Sequence, residues 1–251
     1  TDLTPHAMKT FRVLLGRDPT PLSTHFCINW NGVIYQYADV AERTAHAAGH
    51  NEQSIGLDMN SRLVNYDGRF VEKSTRKEFD RLRKAYKNLA KEKLREPPFN
   101  LSGKKLAEVA ALYEFERPVR GRIQGGNTQR VWGYTPMQYK SLILLLKLFV
   151  RELDLEKSYP SGVDGTVIPG ILEDDDAKKL KGFVGHYHLD TDRWDPGPNF
   201  DWQRVLSGIQ NEYNWFPLAW KEELVLQGRD IGAAGVRPMS VASPSAYRSS
   251  R

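Results

Sequence analysis

The first sixty residues change from a helical pattern to a strand pattern. Residues 4–15 carry apolar side chains at helical spacing behind a Thr-Pro start, which predicts a helix. Two β-rich runs, residues 25–30 and 33–37, flank Asn31 and Gly32, and this arrangement predicts a β-hairpin. A third strand is predicted over residues 54–59.

The middle of the chain reads as an inserted helical subdomain over residues 61–130. Residues 78–94 form a basic amphipathic pattern that predicts a helix, and the Pro-Pro pair at 97–98 ends it. A second helix is predicted around residues 106–113, and the glycine-rich stretch 120–127 is predicted to be a loop.

The second half begins with the strongest helical signal in the chain. Thr135 and Pro136 are a typical helix start, and an apolar stripe follows as far as residue 149. Residues 158–176 are predicted to be a loop, and 181–186 a short buried strand ending at His186. The serine-rich tail, residues 237–251, is expected to be disordered.

Composition and charge narrow the class of protein. The 251 residues are 40% hydrophobic, which is enough for a sizeable core, and the net charge of +5 suits an anionic partner. Nucleic acid, an acidic membrane surface and an anionic wall polymer all meet that description. The single cysteine, Cys27, excludes an intrachain disulfide framework and is expected to be a buried thiol.

No apolar run approaches the roughly 18 to 20 residues that a membrane helix needs. The longest, residues 142–149, is interrupted by Lys147 and is typical of a buried helix. The chain begins with Thr1 and lacks a recognisable signal peptide, which indicates a processed or trimmed start.

The segment 185–198 carries the strongest candidate chemistry. His186 is followed nine residues later by Asp195 in an Asp-Pro-Gly-Pro turn, so one loop can bring both side chains to one cation. Zinc accepts imidazole nitrogen and carboxylate oxygen, and a catalytic zinc uses three protein ligands and a water molecule. By spacing alone, a solvated histidine and a turn-capping aspartate remain the commoner explanation.

The segment resembles the C-terminal motif of the type 2 N-acetylmuramoyl-L-alanine amidases. That family includes the phage lysozyme-type amidases and the peptidoglycan recognition proteins. Four further segments resemble family motifs and occur in the same order. They are the hairpin at 24–36, the His-Ala-Ala-Gly stretch at 44–51, the Ser-Ile-Gly-Leu-Asp run at 54–58 and the Tyr-Thr-Pro-Met-Gln helix start at 134–138.

The resemblance implies zinc-dependent hydrolysis of the amide between N-acetylmuramic acid and L-alanine in peptidoglycan. It implies that His186 and Asp195 bind Zn²⁺, that Asp58 is the general base and that Arg193 stabilises the oxyanion. Aspartate replaces the family's more usual glutamate at Asp58, and arginine replaces a common lysine at Arg193.

The resemblance also implies an α/β fold with a mixed central β-sheet flanked by helices. The amidase-like domain would comprise residues 1–60 and 131–236. His25, His46 and Asn51 match positions on the substrate side of the site. The implied location is extracytoplasmic, meaning periplasmic, secreted or phage-delivered.

The third zinc ligand is the largest departure from the family. The family's first zinc histidine lies on a strand before the first helix, whereas this chain starts at that helix. We expect the strand to come from outside the chain, since the remaining histidines are poorer candidates: His6, His25, His46, His50 and His188.

Two other functions stay open at this point. A non-catalytic amidase fold that binds peptidoglycan fragments would also show these departures. A nucleic-acid-binding protein would explain the basic residues 76–95, but acidic residues and an apolar face among them favour a solvated helix. That helix is also a candidate for contact with an anionic wall polymer.

Overall fold

The central sheet contains the predicted hairpin and the predicted third strand. The computed structural model describes residues 22–60, 72–117, 119–124, 129–131, 133–191 and 193–211. Within them β1 (Phe26–Ile28) pairs antiparallel with β2 (Ile34–Gln36) and parallel with β3 (Leu57–Met59), giving the order β2-β1-β3. Gly32 takes φ +81° in the hairpin loop, where a Cβ would lie 2.9 Å from Met137 O. The hairpin prediction and the third-strand prediction are confirmed.

The two faces of this sheet have different roles. Phe26 and Ile28 belong to the main apolar core. Because side chains alternate along a strand, Cys27 and its register partner Asp58 lie on the opposite face. The free thiol of Cys27 is fully buried there, as the sequence predicted.

The helix α3 supplies most of the core opposite the sheet. It follows α1 (Glu72–Arg95) and α2 (Gly103–Ala111) in the chain. It spans Pro136–Leu153 and begins with a capping box. The Thr135 hydroxyl accepts from Gln138 N at 3.1 Å and donates to Trp30 O at 2.6 Å. The predicted helix and its cap are confirmed. None of the helices in the described ranges combines the length and apolar character needed to cross a membrane.

Gln138 joins the start of α3 to two strands. Its side chain is fully buried, accepts from Thr135 N at 3.0 Å and donates to Asn60 O at 2.7 Å and Ile28 O at 3.3 Å. Gln138 therefore fixes the helix against the sheet with hydrogen bonds that an apolar side chain cannot replace.

Replacing Gln138 with methionine keeps the side-chain length and removes these hydrogen bonds. Because buried polar groups lose their partners, we expect the free energy of unfolding to fall by about 2–4 kcal/mol. Urea unfolding followed by circular dichroism measures the change. Gln203→Met, at an exposed position of the last helix, should stay within about 0.5 kcal/mol of the parent.

The middle segment combines helices with a hairpin. α1 (Glu72–Arg95) and α2 (Gly103–Ala111) confirm the two predicted helices. The predicted loop over 120–127 is partly wrong, because β4 (Val119–Gly121) begins there and pairs antiparallel with β5 (Gln129–Val131). This glycine-rich stretch lacks β-rich runs like those that predicted the first hairpin, so its two strands were not predicted. The segment shares an apolar cluster with the first hairpin: Trp30, Phe79, Leu82, Tyr86, Ala90 and Phe115.

The chain from residue 174 to 210 contains two short helices and one 3-10 turn. α4 spans Asp174–Lys179, the 3-10 turn spans His186–His188, and α5 spans Trp202–Gln210. The predicted loop therefore ends at residue 173, because α4 starts inside its last three positions.

The predicted buried strand over 181–186 is wrong. Residues 181–185 are irregular: Lys181 is exposed, residues 182–184 are partly buried and Gly185 is buried. Their backbone bonds go to a neighbouring loop, with Phe183 N donating to Ser158 O at 2.8 Å and Glu156 N donating to Lys181 O at 2.9 Å. Residues 181–185 include two glycines and lie beside a loop rather than a sheet edge, so they form no strand pairing. The predicted helix at 4–15, the tail at 237–251 and His6 lie outside the described residues.

Candidate metal and catalytic site

His186 and Asp195 face each other across one loop. We call residues 185–198 the site loop. His186 Nδ1 lies 3.1 Å from Asp195 Oδ2, and the two side chains are 20% and 52% exposed. Tyr187 N donates to Asp195 O at 3.2 Å, and the Tyr134 hydroxyl donates to Pro196 O at 2.8 Å. The first bond joins the two ends of the site loop, and the second fixes Pro196 to Tyr134, just before α3.

The donor pair is compatible with two corners of a zinc site. Two ligands at about 2.0 Å from a tetrahedral zinc ion lie about 3.3 Å apart, close to the observed separation. Both donor types are ones that zinc accepts. The described residues contain no group of three His, Cys, Asp or Glu side chains that could hold a metal ion. Among the described residues this pair therefore offers two candidate donors, fewer than the three protein ligands that a catalytic zinc site requires.

Asp58 belongs to the same electrostatic environment. It lies in the middle of β3, on the sheet face that points away from the main core. Burial, with a smaller contribution from the Asp195 carboxylate, raises the pKa of Asp58 to about 6, while His186 acts in the opposite direction. The fold thus places a carboxyl group from the first third of the chain close enough to the site loop for their charges to interact.

Arg193 is the cation of the site loop. Its Nε lies 3.9 Å from Asp190 Oδ2, too far for a hydrogen bond, and makes none with the described residues. The side chain is 37% exposed. Within the part of the chain that the structure describes, the Arg193 guanidinium, two residues before Asp195, is held only by this long contact with Asp190 and is therefore suited to binding an anion.

His46 lies close enough to His186 for the two side chains to interact electrostatically. Its Nε2 donates to Ser54 Oγ at 2.9 Å, because that hydroxyl already donates to His50 O at 2.6 Å. Burial is the largest cause that lowers the pKa of His46 to about 4, and the neighbouring His25 and His186 contribute in the same direction. The ring covers Gly56, where an added Cβ would lie 2.5 Å from the His46 ring. His46 is thus a neutral, fixed imidazole.

His25 and Asn51 build the loop that carries His46. His25 is buried, its Nδ1 accepts from Gly56 N at 2.9 Å, and its Nε2 donates to Glu42 O at 2.8 Å. Asn51 Oδ1 accepts from His46 N at 2.9 Å and Ala47 N at 2.7 Å. Both ring nitrogens of His25 are used inside the protein, so this geometry gives His25 a supporting position.

His188 is held inside the protein rather than at the site surface. It is fully buried, its Nδ1 accepts from Gly185 N at 2.9 Å, and its Nε2 donates to Ile168 O at 2.8 Å. Burial lowers the pKa of His188 to about 4. His188 therefore anchors the turn next to His186, and neither ring nitrogen is available to a metal.

The free energy of unfolding should fall in mild acid because of His188. Its folded pKa is about 4 and its ordinary value 6.5, so only the unfolded chain binds the proton in that window and stability is lost as pH falls through it. His46 acts in the same direction, while Asp58, with a raised pKa, partly offsets both. Urea unfolding at pH 7 and pH 5 should show a smaller acid loss in His188→Gln than in the parent. An equal loss would contradict the assignment.

Some supporting residues could not be found from the sequence. Thr44 Oγ1 lies 3.0 Å from His25 Nδ1 and 2.8 Å from His46 Nδ1. The hydroxyl therefore lies between the two rings and donates its one proton to His46 Nδ1, since His25 Nδ1 already accepts from Gly56 N. Tyr134 was part of a helix-start motif, but its bond to Pro196 crosses 62 positions. The hydrophobic pattern of the sequence gives no information about such a long-range contact.

Comparison with known proteins found no matching protein family, no matching curated protein and no matching solved structure. The amidase resemblance therefore depends on the ordered motifs of this chain and on the geometry of the residues they name.

Proposed function

We propose that this protein is a zinc-dependent N-acetylmuramoyl-L-alanine amidase acting on peptidoglycan. One observation carries the proposal: His186 and Asp195 lie 3.1 Å apart, and the pKa of Asp58, from a distant strand, responds to both of them. These are the three residues to which the motif resemblance assigns metal binding and proton transfer. Their convergence supports the proposal because Asp58 is more than 120 positions away from the other two in the chain.

His186 and Asp195 would hold the zinc ion together with a ligand from outside the described residues. When bound, zinc polarises a scissile carbonyl and makes a bound water molecule more acidic. Asp58 would take a proton from the attacking water, since a carboxyl with a pKa of about 6 is a competent base at neutral pH. Arg193 would neutralise the charge that develops on the carbonyl oxygen.

His46 would form the wall on the substrate side. Its ring is neutral, because its pKa is lowered to about 4, and its two nitrogens are held by Thr44 and Ser54. A fixed imidazole of this kind presents a flat, uncharged surface to a sugar or peptide. The same proposal includes peptidoglycan as the substrate and an extracytoplasmic location. It also includes a separate fragment that carries the third zinc ligand.

The decisive experiment is mass spectrometry of muropeptides treated with the protein. We expect zinc-loaded protein to separate lactyl-bearing glycan from peptides that begin with L-alanine, and chelator to stop the reaction. Full-length protein should be used, so that any further ligand is present. Intact muropeptides after treatment with metal-replete protein would refute the amidase activity.

A non-catalytic binder of peptidoglycan fragments is the second candidate. It is favoured by the finding that the described residues contain no group of three His, Cys, Asp or Glu side chains that could hold a metal ion. Metal analysis separates the two functions. About one zinc ion per molecule supports the enzyme, while muropeptide binding without zinc supports the binder.

The exposed face of α1 is the candidate surface for an anionic wall polymer. Lys77, Arg81, Lys84, Lys91 and Arg95 recur at helical spacing over about 27 Å. None of them forms an ion pair with another described residue, whereas Arg83 and Lys87, nearer the core, both pair with Glu114.

Reversing the charge at Arg81 and Lys84 should weaken binding to a polyanionic wall polymer. We expect a roughly 5- to 10-fold loss near physiological salt and a shallower salt dependence, because surface charges contribute modestly and are screened. Sedimentation with isolated cell wall measures the change. Lys179→Glu with Lys181→Glu, two exposed cations elsewhere, is the matched control, and equal binding by both double variants would exclude this surface.

A further inference from the structure

Gln124 connects the middle segment to the site loop. Its Nε2 donates to Tyr187 O at 2.7 Å and to Asp190 O at 2.7 Å. Its backbone N donates to Pro169 O at 2.6 Å. One side-chain amide therefore uses both of its hydrogens on the turn that follows His186 and precedes Arg193.

The hairpin around Gln124 packs on the same loop. Ile123 is buried in a cluster with Tyr187 and Trp202. A Cβ at Gly121 would lie 2.1 Å from Pro198 Cβ, so β4 approaches the end of the site loop as closely as glycine allows. The middle segment thus contacts the site loop on both sides of Asp195.

The backbone at Gln124 is in an unfavourable conformation. Its φ is +55°, in the left-handed region that costs non-glycine residues about 1 kcal/mol or more. Glycine or asparagine would suit that backbone better. A glutamine there gains the two hydrogen bonds to the site loop, which asparagine, one methylene shorter, cannot make from the same backbone.

We infer that Gln124 is a positioning residue for the metal pair. It holds the turn at residues 187–190, so that His186 meets Asp195 at the separation of two ligands on one ion. The inference depends on the proposed zinc function and extends it, because the middle segment resembles no part of the amidase family. Outer partners of this kind fix the orientation of a ligand and raise metal affinity.

Zinc affinity and amide hydrogen exchange test this role. Gln124→Glu keeps the shape but replaces the donor with a carboxylate oxygen, and Gln124→Gly removes the side chain while relaxing the backbone. We expect both variants to bind zinc roughly 10- to 100-fold more weakly. Exchange should accelerate across residues 186–195 more than in α3. Gln36→Glu, an exposed position on β2, makes the same charge change and should leave both measurements unaltered.

The outcomes separate the inference from the proposed function. Zinc binding by the parent with equal affinity in both Gln124 variants would overturn the inference and leave the amidase proposal standing. Absence of zinc binding by the parent would overturn the amidase proposal and the metal role of Gln124 together. If Gln124→Glu does not fold, Gln124→Gly decides, since its backbone is unstrained.

Discussion

Replacing Asp195 with alanine is expected to abolish zinc binding and amidase activity together while the fold is kept. The Asp195 side chain is 52% exposed and contacts His186, so its loss removes a ligand without opening the core. Loss of a ligand should weaken zinc binding by more than the roughly 10- to 100-fold that an outer partner contributes. His186→Ala should behave in the same way.

Metal titration and muropeptide digestion measure this prediction, and thermal unfolding checks the fold. Asp175→Ala, an exposed carboxylate in α4, is the matched control and should keep parental zinc affinity and activity. Parental activity in Asp195→Ala would remove Asp195 from the site. Loss of activity with full retention of zinc would assign it another role.

Asp58→Asn is expected to lower kcat by about 10²- to 10⁴-fold, the usual range for removing a general base. Zinc should remain bound, because Asp58 is not one of the proposed ligands. Asparagine has the same shape, so β3 and its pairing with β1 should persist. Asp39→Asn, at an exposed turn where the side chain accepts from Ala41 N, is the control and should retain parental activity.

The pH dependence gives Asp58→Asn a second readout. A base with a pKa near 6 must be deprotonated to act, so parental activity should fall as the pH drops below about 6. Bound zinc should move this loss of activity to lower pH, because a nearby cation lowers the pKa of a carboxyl. Since the folded pKa lies above the ordinary value, ionised Asp58 opposes folding above about pH 6. Asp58→Asn should therefore be more stable than the parent at pH 7, a gain that an aspartate stabilised by an ion pair or hydrogen bonds would not give.

Local chemistry explains what could be read from the sequence alone. The hairpin followed from β-rich runs around Asn31–Gly32, and α3 followed from its apolar stripe and the Thr135 cap. The His186–Asp195 pair is separated by nine residues, so a single loop suffices to close it. In each case residues close in the chain determine the contact, and spacing therefore carries the information.

Tertiary structure alone decided the rest. The parallel pairing of β1 with β3 sets Asp58 on the face away from the main core, and no pattern within β3 specifies that neighbour. Residues 181–185 read as a strand, yet they follow a loop because no sheet edge lies beside them. Gln124 reaches the site loop across 63 and 66 positions. Its role depends on a short hairpin and a left-handed backbone, which no hydrophobic periodicity predicts.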